Sequence, residues 1–230
     1  MQKLEDGIHH FQANYFASNR ELFEQLAVAG QHPETLFITC CDSRVVPTLI
    51  TNAAPGELFI VRNVGNIVPS VARGVLGGVS AAIEYAVEVL GVGNIIVCGH
   101  THCGAIDAIL HPDRVAHLPF VSRWLAESHA IPEIIAQRYG HLEGDALVVA
   151  AIQENVLVQL ENLRTFDVVT RRLEDGRLKM NGWVYRIESG EVFDFDPLSG
   201  QFLKLVPHEG EGDRPALSRR ISDVTELLRK

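Results

Sequence analysis

The sequence predicts an α/β fold with a mainly parallel sheet flanked by helices. Three features carry that expectation. The short apolar runs between residues 35 and 99 lack the strict alternation of a half-exposed strand. A helical stretch separates the second run from the third, the pattern of a strand–helix–strand unit. Beyond residue 176 the apolar period changes to two, which announces an antiparallel extension on the C-terminal side. A chain of 230 residues, 47% hydrophobic and 21% charged, can bury one sizeable core with appendages.

Residues 1–29 contain two helical segments, with Leu22, Phe23, Leu26 and Ala29 at helical spacing and Gly30 ending the second. "TLFIT" follows Pro33 and reads as a short buried strand ending at Cys40. "ELFIVRN", after "APG", is a second strand. "GGVSAAIEYAVEVLG" is a helix from about Val75 closed by Gly91, and "NIIVCG" is a third strand ending at His100. Both cysteine-bearing segments therefore sit at strand C-termini, where open α/β sheets place their ligands.

The middle of the chain is helical: "PFVSRWLAESHA", "IPEIIAQRYG", then "DALVVAAIQENVLVQLENL" with Leu147, Ala151, Glu154, Val158 and Leu163 along one side. "KMNGWVYRI", "EVFDFD" and "QFLKLV", separated by "ESG" and "PLSG", read as strands joined by tight turns. "PHEGEGDRP" is a linker to a terminal helix whose apolar stripe is Leu217, Ile221, Val224 and Leu228. No repeat of solenoid length is visible.

Formal charge is −9, and Arg171-Arg172 and Arg219-Arg220 are pairs, not tracts. No nucleic-acid or anionic-membrane partner is expected. "MQKLEDGIHHFQ" has acids where a signal peptide needs a basic region and an apolar run. The longest apolar run, Ala146 to Ile152, is far short of a membrane span. The expected compartment is the cytoplasm, where four cysteines stay as thiols and serve metal binding or catalysis.

Two clusters carry that chemistry. In "CGHTHCGA" (98–105), His100 and Cys103 can chelate one ion from a single turn after a strand. In "ITCCDSRVVP" (38–47), Cys40 and Asp42 project to one side of an extended chain while Cys41 points the other way. Cys40, His100 and Cys103 would make a zinc site of two thiolates and one imidazole, with the fourth tetrahedral position left to water as in catalytic sites. A closed structural site would need Cys98 or His102 as well, through an awkward turn. Asp42 can accept a hydrogen bond from zinc-bound hydroxide, and Arg44 can hold that acid ionised. Cys41 and Cys98 read as packed core residues, and His102 as a loop residue facing away.

"CCDSRVVP" and "EYAVEVLGVGNIIVCGHTHCG" resemble the two signature segments of the β-class carbonic anhydrases, in their bacterial and cyanobacterial branch. The one departure is Cys41, where the family usually has Ser or Ala. The resemblance runs from the N-terminal helices to about residue 206. It implies a catalytic domain over 1–206, with residues 1–30 as a helical arm packed on a dimer partner; the linker and amphipathic helix over 207–230, read from the sequence pattern, lie beyond it. It implies one zinc per subunit on Cys40, His100 and Cys103, with Asp42 and Arg44 as the catalytic dyad. Gln31 would reach substrate across the dimer interface, Phe59, Val64 and Tyr85 would line the substrate pocket, and Gly104 would offer a backbone amide near it. From spacing alone, Phe59, Val64 and Tyr85 read as core.

The implied reaction is reversible hydration of carbon dioxide to bicarbonate and a proton, by attack of zinc-bound hydroxide, in a homodimer or higher homo-oligomer. Some relatives swing the aspartate onto zinc under control of a bicarbonate pocket with a Trp three residues before the first ligand. Phe37 stands there in this chain, and Thr39 replaces a typical Gly, so an open site with the Asp42–Arg44 pair intact is expected. Two alternatives stay open: hydrolysis of carbonyl sulfide or carbon disulfide by the same ligands, and a scaffold subunit recruiting a protein partner through its C-terminal helix. Location inside a carboxysome-type compartment is the alternative to free cytoplasm.

Overall fold

The computed structural model describes residues 1–74 and 77–206. Six strands form one sheet: β1 (Thr35–Cys40), β2 (Leu58–Asn63), β3 (Asn94–His100), β4 (Lys179–Arg186), β5 (Glu191–Asp196) and β6 (Gln201–Lys204). Their order is β2-β1-β3-β4-β5-β6. The first four are parallel, and β5 and β6 extend the sheet antiparallel. "KMNGWVYRI" thus joins the parallel part, and only the last two strands make the extension. Leu36, Phe37 and Ile38 are successive residues of β1 and all fully buried. Since neighbours on a strand point to opposite faces, both faces of the sheet are covered.

The order fixes where a site can form. From β1 the chain moves to β2 on one side, and from β3 it moves to β4 on the other. The crevice beyond the C-termini of β1 and β3 is therefore the topological switch point. Cys40 ends β1 and His100 ends β3.

The helices are α1 (Gln2–Phe11), α2 (Arg20–Ala29), α3 (Pro47–Thr51), α4 (Gly78–Glu84), α5 (Gly104–Leu110), α6 (Pro119–Leu125), α7 (Ala130–Arg138), α8 (Gly144–Leu163) and α9 (Asp167–Glu174). A wide π turn over Tyr85–Val89 prolongs α4. The long α8 lies on β3 and β4 and against α5 and α7. Its approach to the sheet requires Gly99 and Gly182, where an added Cβ would lie 2.9 Å from Val156 methyl carbons. The one-sided stripe expected for this helix is too narrow. Ala151, Glu154 and Leu163 are buried, but so are Ile152, Asn155, Val156, Gln159 and Leu160, because α8 is flanked on two sides. The sequence reading also missed α9, which buries Val169 and Leu173 and packs Val168 against the core.

Buried and half-buried polar residues of α8 grip the loop after β2. Gln159 Oε1 accepts from Val68 N at 2.8 Å, Asn162 Nδ2 donates to Val68 O at 2.8 Å, and Asn155 Nδ2 donates to Gly65 O at 3.1 Å. Asn63 closes the loop from inside, accepting from Ile67 N and donating to Ile67 O. Leaving such a buried amide without its partner costs about 1–3 kcal/mol, so the loop is held in one conformation.

By contrast, α1 and α2 bury no residue. Leu4, Ile8, Phe11 and Tyr15 are exposed on the arm, whose aromatic rings pack mainly on one another, Phe16 and Phe23 at 5.1 Å. The terminal helix expected over 207–230 lies outside the described residues. Among those described, no helix is long and apolar enough to cross a membrane.

Candidate metal centre

Cys40, His100 and Cys103 converge at the switch point. One ligand atom from each lies within 4.8 Å of the others, and all three residues are buried. Cys40 comes from the end of β1, His100 from the end of β3, and Cys103 is the residue just before α5. The intervening turn is tight enough to hold His102 at φ +56°, a left-handed conformation uncommon outside glycine.

The donor chemistry fits zinc. His100 Nδ1 lies 2.8 Å from Thr101 O. A carbonyl can only accept, so Nδ1 carries the proton and Nε2 keeps a lone pair. That Nε2 is buried without a hydrogen-bond partner, as a metal ligand oriented by a carbonyl would be. The two sulfurs are 4.0 Å apart; two thiolates about 2.3 Å from a tetrahedral zinc are separated by about 3.8 Å. Without a cation two thiolates this close conflict. A hydrogen bond from Cys103 is the main influence lowering the Cys40 thiol, and Cys103 is in turn pushed up by its bond to Cys40 and by burial. A divalent ion between them removes the conflict.

Asp42 stands beside this cluster, with Oδ2 3.9 Å from His100 Nε2. Arg44 clasps it bidentately: Nε donates to Oδ1 at 2.9 Å and Nη2 to Oδ2 at 2.8 Å, while Arg44 N adds a bond to Oδ1 at 3.0 Å. The Arg44 hydrogen bonds hold the Asp42 carboxyl well below the usual carboxylate range. Arg44 Nη2 also donates to His102 O at 3.2 Å, tying the pair to the loop that carries Cys103.

Phe59 and Tyr85 are neighbours, ring centroids 6.0 Å apart. The core reading is corrected for Val64 and Tyr85, 43% and 44% exposed, while Phe59 is half-buried and packed against the core. Phe59 and Tyr85 meet near the start of β2, where Phe59 lies opposite Leu36, whereas Val64 follows the other end of the strand, at the level of Cys40. Gly104 opens α5, so its N–H is among the donors that a helix start leaves without an intrahelical acceptor. Gln31 is exposed between the arm and β1. Cys98 is fully buried, and burial pushes its thiol up to about 12. Cys41, expected in the core, is exposed: β1 stops at Cys40, so alternation across the sheet no longer decides where Cys41 points. His102 is exposed and faces Glu188 at 3.6 Å.

The sequence reading passed over Arg62. Its Nε donates to Cys40 O at 3.1 Å and its Nη2 to Asp42 O at 2.7 Å, so it fixes the backbone between ligand and acid. A cation in the otherwise apolar run "LFIVRN" was the available signal.

Residues 35–192 match the family model described as carbonic anhydrase. The solved structure of the β-carbonic anhydrase CcaA superposes with a TM-score of 0.86 at 46% identity, covering 89% of this chain and 99% of that one. This chain belongs to the β-carbonic anhydrase family. A carbonic anhydrase of Synechocystis sp. is 46% identical over 204 residues, 88% of this chain and 74% of the relative. Crystal structures of two tetrameric β-carbonic anhydrases from Sordaria macrospora match at a TM-score of 0.73 and 27% identity, covering 84% of this chain and 95% of that one. As a β-carbonic anhydrase the protein is a zinc lyase that interconverts carbon dioxide and bicarbonate.

Proposed function

We propose that Cys40, His100 and Cys103 hold the zinc ion, one per subunit, and that Asp42 and Arg44 are the groups that manage the reacting solvent. The observation that carries this reading is the convergence of three buried donor atoms within 4.8 Å, one of them an unpartnered imidazole nitrogen. Zinc bound there lowers the pKa of a coordinated water towards about 7 and supplies a nucleophile near neutrality.

The chain's own residues do the rest. Ionised Asp42 is acceptor-only, so it takes the nucleophile's proton into a hydrogen bond and leaves a lone pair facing the substrate carbon. Arg44 keeps it ionised and in place. Phe59, Val64 and Tyr85 offer an apolar wall suited to a linear, nonpolar molecule, and the Gly104 N–H faces the charge developing on its oxygen. The bidentate Asp42–Arg44 contact and the Phe37 side chain buried in the core support a site of the open type, with Asp42 off the metal.

Gln31 completes the site of a neighbouring subunit in this reading, so the smallest active unit is a homodimer. The exposed apolar face of α1 and the tetrameric Sordaria enzymes support it. Residues 1–206 form the catalytic domain, with 1–30 as the arm. A pull-down with and without residues 208–230 tests whether that segment recruits a protein partner. Four unpaired thiols support a reducing location, the cytoplasm or a carboxysome-type compartment within it.

Zinc content measured beside carbon dioxide hydration tests the reading. Cys40→Ser is expected to lose both, and a variant that keeps both would refute it. Assaying sulfide release from carbonyl sulfide and carbon disulfide in parallel decides the substrate; carbon dioxide is expected to be preferred.

A further inference from the structure

The loop after β2 brings one peptide group between an indole and a metal-binding sulfur. Gly65 N donates to Cys40 Sγ at 3.4 Å. The carbonyl of that same peptide, Val64 O, accepts a hydrogen bond from Trp124 Nε1 at 2.7 Å. The peptide is trans, as are all the described peptide bonds, so its C=O and N–H point in opposite directions along one rigid plane. Indole, peptide and sulfur therefore form a single chain of hydrogen bonds. Gly65 has φ +84°, and a Cβ there would sit 3.0 Å from Ala105 Cβ; only glycine lets the amide come this close.

We propose that Trp124, on α6, is a positioning residue for the reaction: through the Val64–Gly65 peptide it aims a polarised N–H at Cys40 Sγ and withdraws charge from one of the two thiolates. The consequence is chemical. Two thiolates cancel the formal charge of a divalent zinc and weaken it as a Lewis acid. A hydrogen bond to one sulfur restores part of that character, and hydrogen bonds in series reinforce one another by about 10–30% per bond. The indole is suited to the task because it donates and cannot accept, so it engages only the carbonyl end. Its ring is half-buried against the core, which fixes the donor's direction. In this scheme Trp124 acts through the Val64 carbonyl.

The inference rests on Cys40 being a zinc ligand, and the test separates the two. In the full-length enzyme with cobalt(II) in place of zinc, the thiolate-to-cobalt charge-transfer band reports the electron density on sulfur. Trp124→Phe keeps a packed ring without the donor. It is expected to move that band to longer wavelength and to lower kcat with KM unchanged. Should Trp124→Phe disturb folding, benzothienylalanine at position 124 keeps the indole shape without the N–H and is expected to give the same shift. A band that stays at the wild-type wavelength in the well-folded variant overturns the role of Trp124. Absence of any thiolate band in the wild-type cobalt enzyme overturns the ligand assignment beneath it.

Discussion

At the scale of single residues, the site separates groups that bind from groups that steer. Asp42 sits 3.9 Å from His100 Nε2 yet is turned by three Arg44 donors into an acceptor with one free direction. Asp42→Asn keeps the shape and loses the charge, and its amide can donate where the carboxylate only accepts. Carbon dioxide hydration should fall about 10- to 100-fold while zinc content stays at the wild-type level, which assays of both on one preparation will check. Cys40, His100, Cys103, Asp42 and Arg44 were legible in the sequence because few side chains offer soft or charged donors, and their spacing after two strands is restrictive. Arg62 and Trp124 were not: they act on the carbonyls of Cys40, Asp42 and Val64, groups that every residue carries. Cys41 misled because alternation is a property of strands, and β1 ends one residue before it.

At the scale of elements, α8 ties the site to the core. It holds the Gly65–Val68 segment through Asn155, Gln159 and Asn162 and is itself joined to the end of α7, where Tyr139 donates its hydroxyl proton to Glu154 Oε1 at 2.7 Å. Burial first, then the Glu154 carboxylate, push the Tyr139 hydroxyl from 10.0 up to about 12. The sign follows by linkage. Above pH 10 the unfolded chain loses this proton while the folded chain keeps it, so stability falls as pH rises from about 10 to about 12. Denaturant midpoints across that range should decline less steeply in Tyr139→Phe than in the wild type, and parallel declines would contradict the assignment. The strands around the switch point were legible because buried parallel strands are continuous apolar runs. The stripe on α8 and the existence of α9 were not, since both depend on how many neighbours a helix meets, which periodicity does not record.

At the scale of the whole molecule, the sheet and α8 enclose the core and leave the arm outside it. A helix with Leu4, Ile8 and Phe11 facing solvent keeps a large apolar surface in water unless another subunit covers it. Deleting residues 1–19 should therefore yield a monomer in sedimentation, with carbon dioxide hydration lost because Gln31 no longer meets a neighbouring site. An active monomer would contradict the dimer as the working unit. The decisive measurement is a crystal structure of the full-length enzyme at neutral pH with anomalous data at the zinc edge. It should reveal one ion per subunit bound by Cys40 Sγ and Cys103 Sγ at about 2.3 Å and by His100 Nε2 at about 2.0–2.1 Å, with solvent in the fourth position. An ion elsewhere, or Asp42 filling that position in every subunit, would contradict it.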